Sequence, residues 1–324
     1  MSTDTASSTY AARSYGTAST PTPCVFIIGA GLVGTTLAAR LTRAGVPVAG
    51  IHGRRTELSN VASGMSGVLA SSGDLPEILA TADVVIISVR DARVPEIAGM
   101  LVDEKRLRPG QIVLQTAGSR PAAEMLPGLS ASGASIGTMH PLIAVTDAPG
   151  TIDSLAGAYF GIEGDVDARR AAATLVTMMG GRVLELDPKA MALYHAGAVL
   201  ASNYVVVLAD LARSVLVAAG VPEADALPAL LPLMSSAVRN LVEVGIPSAM
   251  TGPVVRGDVA SVERHLAAIK DKAPALADVY LRLGQETLRI ARDRVPDLDV
   301  AAVEKMAAIF GGGGGTKNGA KKTR

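Results

Sequence analysis

Short apolar runs alternate with segments of helical periodicity from Pro23 to about Asp187. The runs are nearly continuous in hydrophobic residues, which is typical of strands buried on both faces of a parallel sheet. The segments between them repeat apolar residues every three or four positions, as helices do. This alternation predicts the α/β class, with an N-terminal Rossmann-type doubly wound parallel sheet. The predicted strands are Val25–Ile28, Val46–Ile51, Asp83–Val89, Gln111–Gln115, Ala134–Thr138, Ala158–Glu163 and Arg182–Leu186.

The helical segments between these strands are less uniform. Residues Glu57–Ser72 are rich in Gly and Ser, and this composition predicts a variable connection. The predicted helices of this part of the chain are Leu32–Ala44, Asp74–Thr81, Arg90–Leu101, Pro121–Leu129 and Asp167–Met179.

The pattern changes at Asp187 and Pro188, which are a suitable N-cap and a suitable first helical residue. A long helical pattern then runs to Ala219, and no clear strand pattern follows as far as Phe310. We therefore expect an all-helical second domain that binds substrate or mediates dimerisation. The predicted division is a disordered tail (1–22), a dinucleotide-binding domain (23–187), a helical domain (188–310) and a flexible Gly/Lys tail (311–324).

Three glycines with the spacing G-x-G-x-x-G follow the first strand and open the first helix. In a strand–helix–strand unit, Gly29 would allow the tight turn and Gly31 the approach of a pyrophosphate, while Gly34 would allow close packing of helix on strand. The positive end of the helix would then face the phosphates. The predicted phosphate loop consists of Gly29, Ala30, Gly31, Leu32, Val33 and Gly34.

The end of the second strand indicates which dinucleotide binds. An NAD site of this type carries Asp or Glu there, to bind the ribose 2′-hydroxyl. This chain has Arg54, Arg55 and Thr56 instead, after His52 and Gly53. Two guanidinium groups and a hydroxyl suit a 2′-phosphate. The sequence therefore favours NADP(H) over NAD(H).

Ligands of such sheets bind at the carboxyl ends of the strands. Further residues predicted to bind the cofactor at these ends are Ser88, Val89, Thr116 and Gly118. His140 follows another strand and precedes Pro141, where a nicotinamide ring is expected to lie. A loop histidine bonded to the backbone is the alternative interpretation.

Polar residues also interrupt the apolar helix that begins the second domain. His195 and Ser202 are two turns apart and so share a face, and Asn203 flanks it. Such residues are costly in an apolar environment unless they have partners. They predict a polar strip facing the cofactor cleft, with hydrogen bonding between helices as the alternative. Farther on, Arg256 lies in a distinctive loop and could hold a substrate carboxylate in a bidentate manner.

Composition narrows the class of partners. Lys plus Arg (30) equals Asp plus Glu (30), which argues against binding to nucleic acid. The apolar stretch Ala196–Ala209 is too short for a membrane span, so we expect a cytoplasmic protein that does not bind membranes. Helices rich in small residues suit a homodimer, and packing of the same helices within one chain is the alternative. The single cysteine, Cys24, excludes a cysteine zinc cluster, and no metal site is predicted.

With these residues in view, the chain resembles the bacterial family in which a Rossmann-like domain precedes a DUF2520 domain, from roughly Pro23 to Arg292. The family is expected to contain oxidoreductases. It is more distantly similar to ketopantoate reductases, β-hydroxyacid dehydrogenases, pyrroline-carboxylate reductases and prephenate dehydrogenases. The segments that carry the resemblance are Gly29–Gly34, Met139–Leu142, Phe160–Asp165, Tyr194–Tyr204, Thr251–Pro253 and Arg256–Asp258.

The resemblance and the residues together predict an NADP(H)-dependent oxidoreductase that acts on a small carboxylated carbonyl, such as a 2-oxo acid of the ketopantoate type. Hydroxyacid dehydrogenases and ketopantoate reductases place a lysine on the first long helix. The corresponding region here offers His195, with Lys189 earlier in the helix. His195 or His140 would donate the proton, Ser202 and Asn203 would orient the carbonyl, and Arg256 would hold the carboxylate.

Two alternatives remain open at this point. One is a non-catalytic NADP(H)-binding sensor or regulator, which would keep the phosphate loop but would need no proton donor. The other is an imine reductase of the pyrroline-carboxylate reductase type.

Overall fold

A computed structural model describes residues 22–147, 150–246, 248–294 and 298–311. The predicted N-terminal tail up to residue 21 and the predicted Gly/Lys tail from residue 312 lie outside these ranges. The chain forms two compact units, Met1–Ala201 and Ser202–Arg324. The change of pattern at Asp187 coincides with the end of the sheet, because the last strand ends at Glu185.

One eight-stranded sheet forms the centre of the first unit, with the strand order β3-β2-β1-β4-β5-β6-β7-β8. The predicted fold class, a Rossmann-type sheet followed by a helical region, is confirmed. The strands are β1 Val25–Ile28, β2 Val48–His52, β3 Ala70–Ser71, β4 Val84–Ile87, β5 Ile112–Gln115, β6 Ser135–Pro141, β7 Tyr159–Gly164 and β8 Arg182–Glu185.

The sheet departs from the all-parallel expectation at β7. Strands β1 to β6 pair in parallel, whereas β7 runs antiparallel to β6 and parallel to β8. A parallel return needs a crossover, usually a full helix. The connection from Leu142 to Ala158 contains one four-residue helix among its described residues, Thr151–Ser154, and the chain turns back along β6 instead.

Seven α-helices accompany the sheet among the described residues of the first unit. They are α1 Leu32–Arg43, α2 Thr56–Ser66, α3 Val94–Asp103, α4 Ala122–Met125, α5 Thr151–Ser154, α6 Val166–Met178 and α7 Met191–Ala201.

Three of the predicted segments differ from these helices. The segment interpreted as a variable connection contains α2, which ends at Gly67 with a left-handed backbone (φ 71°). Its Gly and Ser content concealed a helix that ends as many helices do. Glu77–Thr81 is a 3₁₀ helix, and α4 is a single turn within the predicted Pro121–Leu129.

The core lies on both faces of this sheet. Successive residues of a strand face opposite sides. Val25 and Ile27 of β1 accordingly belong to one buried apolar cluster and Phe26 and Ile28 to another. This two-sided burial fixes the carboxyl edge of the sheet in place, and the candidate site lies at that edge.

The regular secondary structure among the described residues of the second unit is all helical. Its helices are α8 Asn203–Ala218, α9 Glu223–Val244, α10 Val259–Lys272, α11 Ala277–Arg294 and α12 Val300–Gly311. The sequence predicted one helix from Pro188 to Ala219, but Ser202 has non-helical backbone angles (φ −122°, ψ −71°) and separates α7 from α8. Phe310 packs against Gly284, where an added Cβ would lie 2.3 Å from the ring.

Helix α8 and its neighbour α9 carry many exposed apolar side chains. Val206 is 71% exposed and Val242 is 81% exposed. The helical run Pro188–Ala218 is long and apolar enough to cross a membrane by length and composition. The apolar stretch that we took from the sequence, Ala196–Ala209, was therefore too short. Asp210 and Arg213 form an ion pair within this run. The predicted homodimer and the predicted absence of membrane binding stay predictions.

Candidate active site

The three glycines of the phosphate loop have three different environments. Gly29 has φ +128°, and an added Cβ would lie 2.0 Å from the carbonyl oxygen of Ser88. At Gly34 an added Cβ would lie 1.9 Å from the carbonyl oxygen of Gly29. At Gly31 an added Cβ would meet no atom within 4 Å. Two glycines are therefore needed by the fold itself, and the third leaves open space.

The open space at Gly31 fits a pyrophosphate. Gly31 precedes α1, and no side chain caps that end of the helix. The backbone N–H groups of a first helical turn attract anions when nothing else bonds them. Along the same loop Ala30 is buried, Val33 is half-buried and Leu32 is 50% exposed.

The end of β2 is built around a buried histidine. His52 Nδ1 lies 3.0 Å from Ser71 Oγ, and burial lowers the pKa of His52. Thr56 Oγ1 lies 2.9 Å from Ser72 Oγ. The side chains of Arg54 and Arg55 are exposed beside them. The arrangement suits a 2′-phosphate, because cationic and hydroxyl side chains follow β2 where an NAD site would present a carboxylate.

The predicted residues at the carboxyl edge form a continuous series of contacts. Gly29 lies against the backbone of Ser88, whose Oγ accepts a hydrogen bond from Thr116 Oγ1 at 3.4 Å. Gly118 lies against the His140 ring, so that an added Cβ would be 2.8 Å from Nε2. Val89 is half-buried beside Gly29. The structure thus connects the phosphate loop to His140.

His140 forms a pair with Tyr194, a residue that was not among the predicted site residues. His140 Nδ1 lies 2.8 Å from Tyr194 Oη, and the rings meet edge to face. Tyr194 itself packs against Gly161 of β7, where an added Cβ would lie 2.7 Å from Oη. The sequence offered one signal for Tyr194, its position next to His195. Its partner, His140, lies on strand β6, far away in the sequence.

Burial sets the protonation states of this pair. Desolvation, together with a smaller effect of the nearby His195, lowers the pKa of His140 to about 4, while Asp91 opposes the shift. Desolvation raises the pKa of Tyr194 to about 12, against the effect of a backbone hydrogen bond with Gly161. At neutral pH the imidazole is therefore neutral and the phenol keeps its proton. The proton donor proposed from the sequence, an imidazolium of near-neutral pKa, does not fit His140.

His195 completes the cluster on the same helix as Tyr194. Its ring centroid lies 6.0 Å from that of His140. Its Nδ1 atom is buried and has no hydrogen-bond partner among the described residues. A buried polar atom without a partner is costly, and ligands or ordered water commonly satisfy such atoms. His195 therefore offers a position for a polar group of a ligand.

Ser202, Asn203 and Arg256 belong to the second unit, so their predicted roles stay predictions. Within that unit Arg256 is exposed, and Asp258 caps α10 by accepting a hydrogen bond from the Ser261 N–H at 3.0 Å. Lys189 is exposed, and its N–H bonds the Asp187 side chain, which confirms Asp187 as an N-cap.

The crowded glycine, Gly34, and the open one, Gly31, predict separable effects of substitution. We expect Gly34→Ala to lower thermal stability, because its Cβ has no room beside the Gly29 carbonyl. Gly31→Ala should leave the melting temperature of the free protein within about 2 °C of wild type and weaken NADPH binding at least about tenfold, since the methyl group enters only the space left for phosphate. Calorimetry and isothermal titration measure the two effects. Equal NADPH affinity in Gly31→Ala would contradict the assignment.

The buried His140 predicts a titration far from the usual range. In an NMR titration one histidine should have a midpoint near pH 4, and His140→Gln should remove it. Because the folded pKa is below the unfolded value, stability is complete above pH 6.5 and is lost as the pH falls toward 4, by on the order of 3 kcal/mol. His265→Gln, at an exposed histidine bonded to Tyr280, is the control. A titration in which all four histidines have midpoints near pH 6.5 would refute the claim that burial lowers the pKa of His140.

Comparisons with known proteins agree with this architecture. A Rossmann-like family profile matches residues 12–141, and the profile described as "Domain of unknown function (DUF2520)" matches residues 158–287. No curated protein sequence matches the chain.

Solved structures share the fold at low identity. A candidate NADP oxidoreductase from Bacteroides fragilis is 22% identical with a TM-score of 0.63, and the match covers 82% of this chain and 97% of that one. A Thermotoga maritima protein is 19% identical with a TM-score of 0.66, covering 84% and 100%. An Aspergillus terreus reductive aminase, in complex with NADPH and ethyl-5-oxohexanoate, is 18% identical with a TM-score of 0.55, covering 87% and 98%.

The matched residues include the phosphate loop, His140, Tyr194, His195 and Arg256. The chain is therefore a protein of the kind in which a Rossmann-like domain is followed by a DUF2520 domain.

Proposed function

We propose that the protein is a cytoplasmic NADP(H)-dependent oxidoreductase that reduces a small carboxylated carbonyl, with a 2-oxo acid as the first candidate. The observation that carries this proposal is the continuous edge from Gly29 through Ser88 and Gly118 to His140 and Tyr194. It joins a dinucleotide loop to a pair of groups able to donate hydrogen bonds and a proton. A cofactor site and a proton donor are the two requirements of such a reduction.

The choice of NADP(H) rests on the residues after β2. Arg54, Arg55 and Thr56 are exposed there, in the position where an NAD site would carry a carboxylate. The Bacteroides fragilis protein named as an NADP oxidoreductase and the NADPH complex of the reductive aminase share the fold, which is consistent with this choice.

When bound, NADPH supplies the hydride. The protein must then stabilise the negative charge that develops on the carbonyl oxygen and provide a proton. The Tyr194 phenol retains its proton at neutral pH and is our proposed donor. The hydrogen bonds that its oxygen makes to Gly161 and His140 would stabilise the phenolate that remains.

His140 then has a different role from the one proposed from the sequence. A neutral imidazole carries one N–H, and the nitrogen that bears it depends on the hydrogen bond at the other nitrogen. If Nδ1 donates to Tyr194 Oη, the phenol proton is free to reach the substrate. His140 would thus orient Tyr194. As its Nδ1–H proton passes to the phenolate after turnover, its Nε2 would take up a proton from water, so that the ring stays neutral.

Substrate recognition falls to groups not used by this pair. His195 Nδ1, which is buried without a partner among the described residues, is suited to a polar group of the substrate. Arg256 is proposed to hold the carboxylate in a bidentate manner, and Ser202 and Asn203 are proposed to orient the carbonyl.

A second candidate is reduction of a C=N bond. The reductive aminase of the same fold is named for such chemistry, and its complex holds a keto ester. The dinucleotide loop and the Tyr194 donor would serve an imine as well as a carbonyl. A non-catalytic NADP(H) sensor is the third possibility, and the same experiment separates all three.

The test is NADPH consumption with a panel of 2-oxo acids, each with and without an added amine. We expect turnover with at least one 2-oxo acid alone and slower reaction with NADH. Tyr194→Phe should lower kcat at least about 100-fold, because it removes the proton donor, while the NADPH dissociation constant stays within about threefold. His265→Gln should behave as wild type.

The contrary outcomes are distinct. Turnover that depends on the amine would favour imine reduction, and tight NADPH binding without turnover across the panel would favour the sensor. Full activity of Tyr194→Phe would remove Tyr194 from the mechanism.

A further inference from the structure

Three buried polar side chains cross the middle of the sheet where apolar ones would be expected. Gln115 of β5 is in register with Thr138 of β6, and Thr138 is in register with Glu163 of β7. Their exposures are 0%, 0% and 2%. Residues in register on neighbouring strands share one face of a sheet. The three side chains therefore form a row inside the protein.

Hydrogen bonds join the row from end to end. Gln115 Nε2 donates to Thr138 Oγ1 at 2.7 Å, and Thr138 Oγ1 donates to Glu163 Oε1. Such a network is stable in a low-dielectric interior only when its members have partners, and it then specifies one arrangement.

The two ends of the row hold the two ends of one loop. Gln115 Oε1 accepts from the Ala117 N–H at 2.5 Å, and its Nε2 also donates to the Arg120 carbonyl at 3.3 Å. Glu163 Oε1 accepts from the Ala122 N–H, the first of α4, at 2.7 Å. The buried side chains of Gln115 and Glu163 consequently hold residues 116–121 at both ends.

This loop is the part of the carboxyl edge that meets the candidate site. Thr116 bonds Ser88, Gly118 lies against the His140 ring, and Ser119 Oγ donates to Asp91 at 3.2 Å. A displacement of the loop would alter the cofactor edge and the packing of His140 together.

We propose that Glu163 is a positioning residue, which acts through Thr138 and Gln115 to hold residues 116–121 against His140 and the bound dinucleotide. This inference rests on the proposed function only in that it takes the ligand of this edge to be a dinucleotide. It also accounts for the segment Phe160–Asp165, which the resemblance singled out. In that segment Gly161 leaves room for Tyr194, and Asp165 Oδ2 accepts from the Ile136 N–H at 2.9 Å.

The experiment compares Glu163→Leu, Glu163→Gln and Thr138→Val with wild type. Leu is similar in size but cannot accept a hydrogen bond, whereas Gln keeps an acceptor oxygen for Ala122 and Thr138. Glu124→Gln is the matched control, because Glu124 lies exposed on α4 beside Arg120. The readouts are amide hydrogen exchange at Ala117 and Ala122, the NADPH dissociation constant, and the NMR titration of His140.

In Glu163→Leu we expect exchange at the Ala122 amide to accelerate and NADPH binding to weaken, each about tenfold, as for a lost buried hydrogen bond to a charged group. The His140 midpoint should move toward 6.5 as water enters beside Gly118. Glu163→Gln should keep the exchange rate and the NADPH dissociation constant within about threefold of wild type. It should also leave the His140 midpoint near pH 4. Thr138→Val should accelerate exchange at Ala117, and it decides the matter if Glu163→Leu does not fold.

Wild-type exchange, affinity and titration in both Glu163→Leu and Thr138→Val would overturn the proposal. A uniform rise in exchange across all strands, with no selective effect at residues 116–122, would also overturn it, since that is the result of general destabilisation. Failure of wild-type protein to bind NADPH would instead refute the proposed function, and the exchange and titration readouts would still decide the role of Glu163.

Discussion

The candidate site depends on close approach to backbone that carries no side chain. At the carboxyl edge of the sheet, Gly29 meets Ser88, Gly118 meets His140, and Gly161 meets Tyr194. An added Cβ would lie 2.0, 2.8 and 2.7 Å from the neighbouring atom at these three positions. Distances of that size are far inside van der Waals contact. The edge can therefore bring a phosphate loop, an imidazole and a phenol together only while these positions remain glycine.

Local patterns were sufficient to predict the architecture and the phosphate loop. The alternation of buried strands and helices predicts the sheet, and the spacing of Gly29, Gly31 and Gly34 predicts three separate roles that their surroundings match. The antiparallel β7 was not predictable in this way, because strand direction depends on how long a crossover the connection can form. Helix α2 was missed since Gly and Ser hide its periodicity.

The site was only partly predictable, for a related reason. His140 could be proposed from its place after a strand, but Tyr194 acquires its role from Gly161, far away in the sequence. The protonation states could not be read from residue type either. Burial turns His140 from the expected proton donor into a neutral partner of a phenol. Likewise Glu163 would be assigned to a surface from its charge, whereas its hydrogen bonds place it behind the loop at residues 116–121.

We expect this edge to bind NADP(H) with the reactive nicotinamide ring beside His140 and Tyr194. A crystal structure of the protein with NADP⁺ would show this placement. We expect the pyrophosphate at Gly31, the 2′-phosphate at Arg54 and Arg55, and the nicotinamide ring facing the Tyr194 hydroxyl. A nicotinamide ring that lies away from Tyr194, or a 2′-phosphate that contacts neither arginine, would refute this mode of binding.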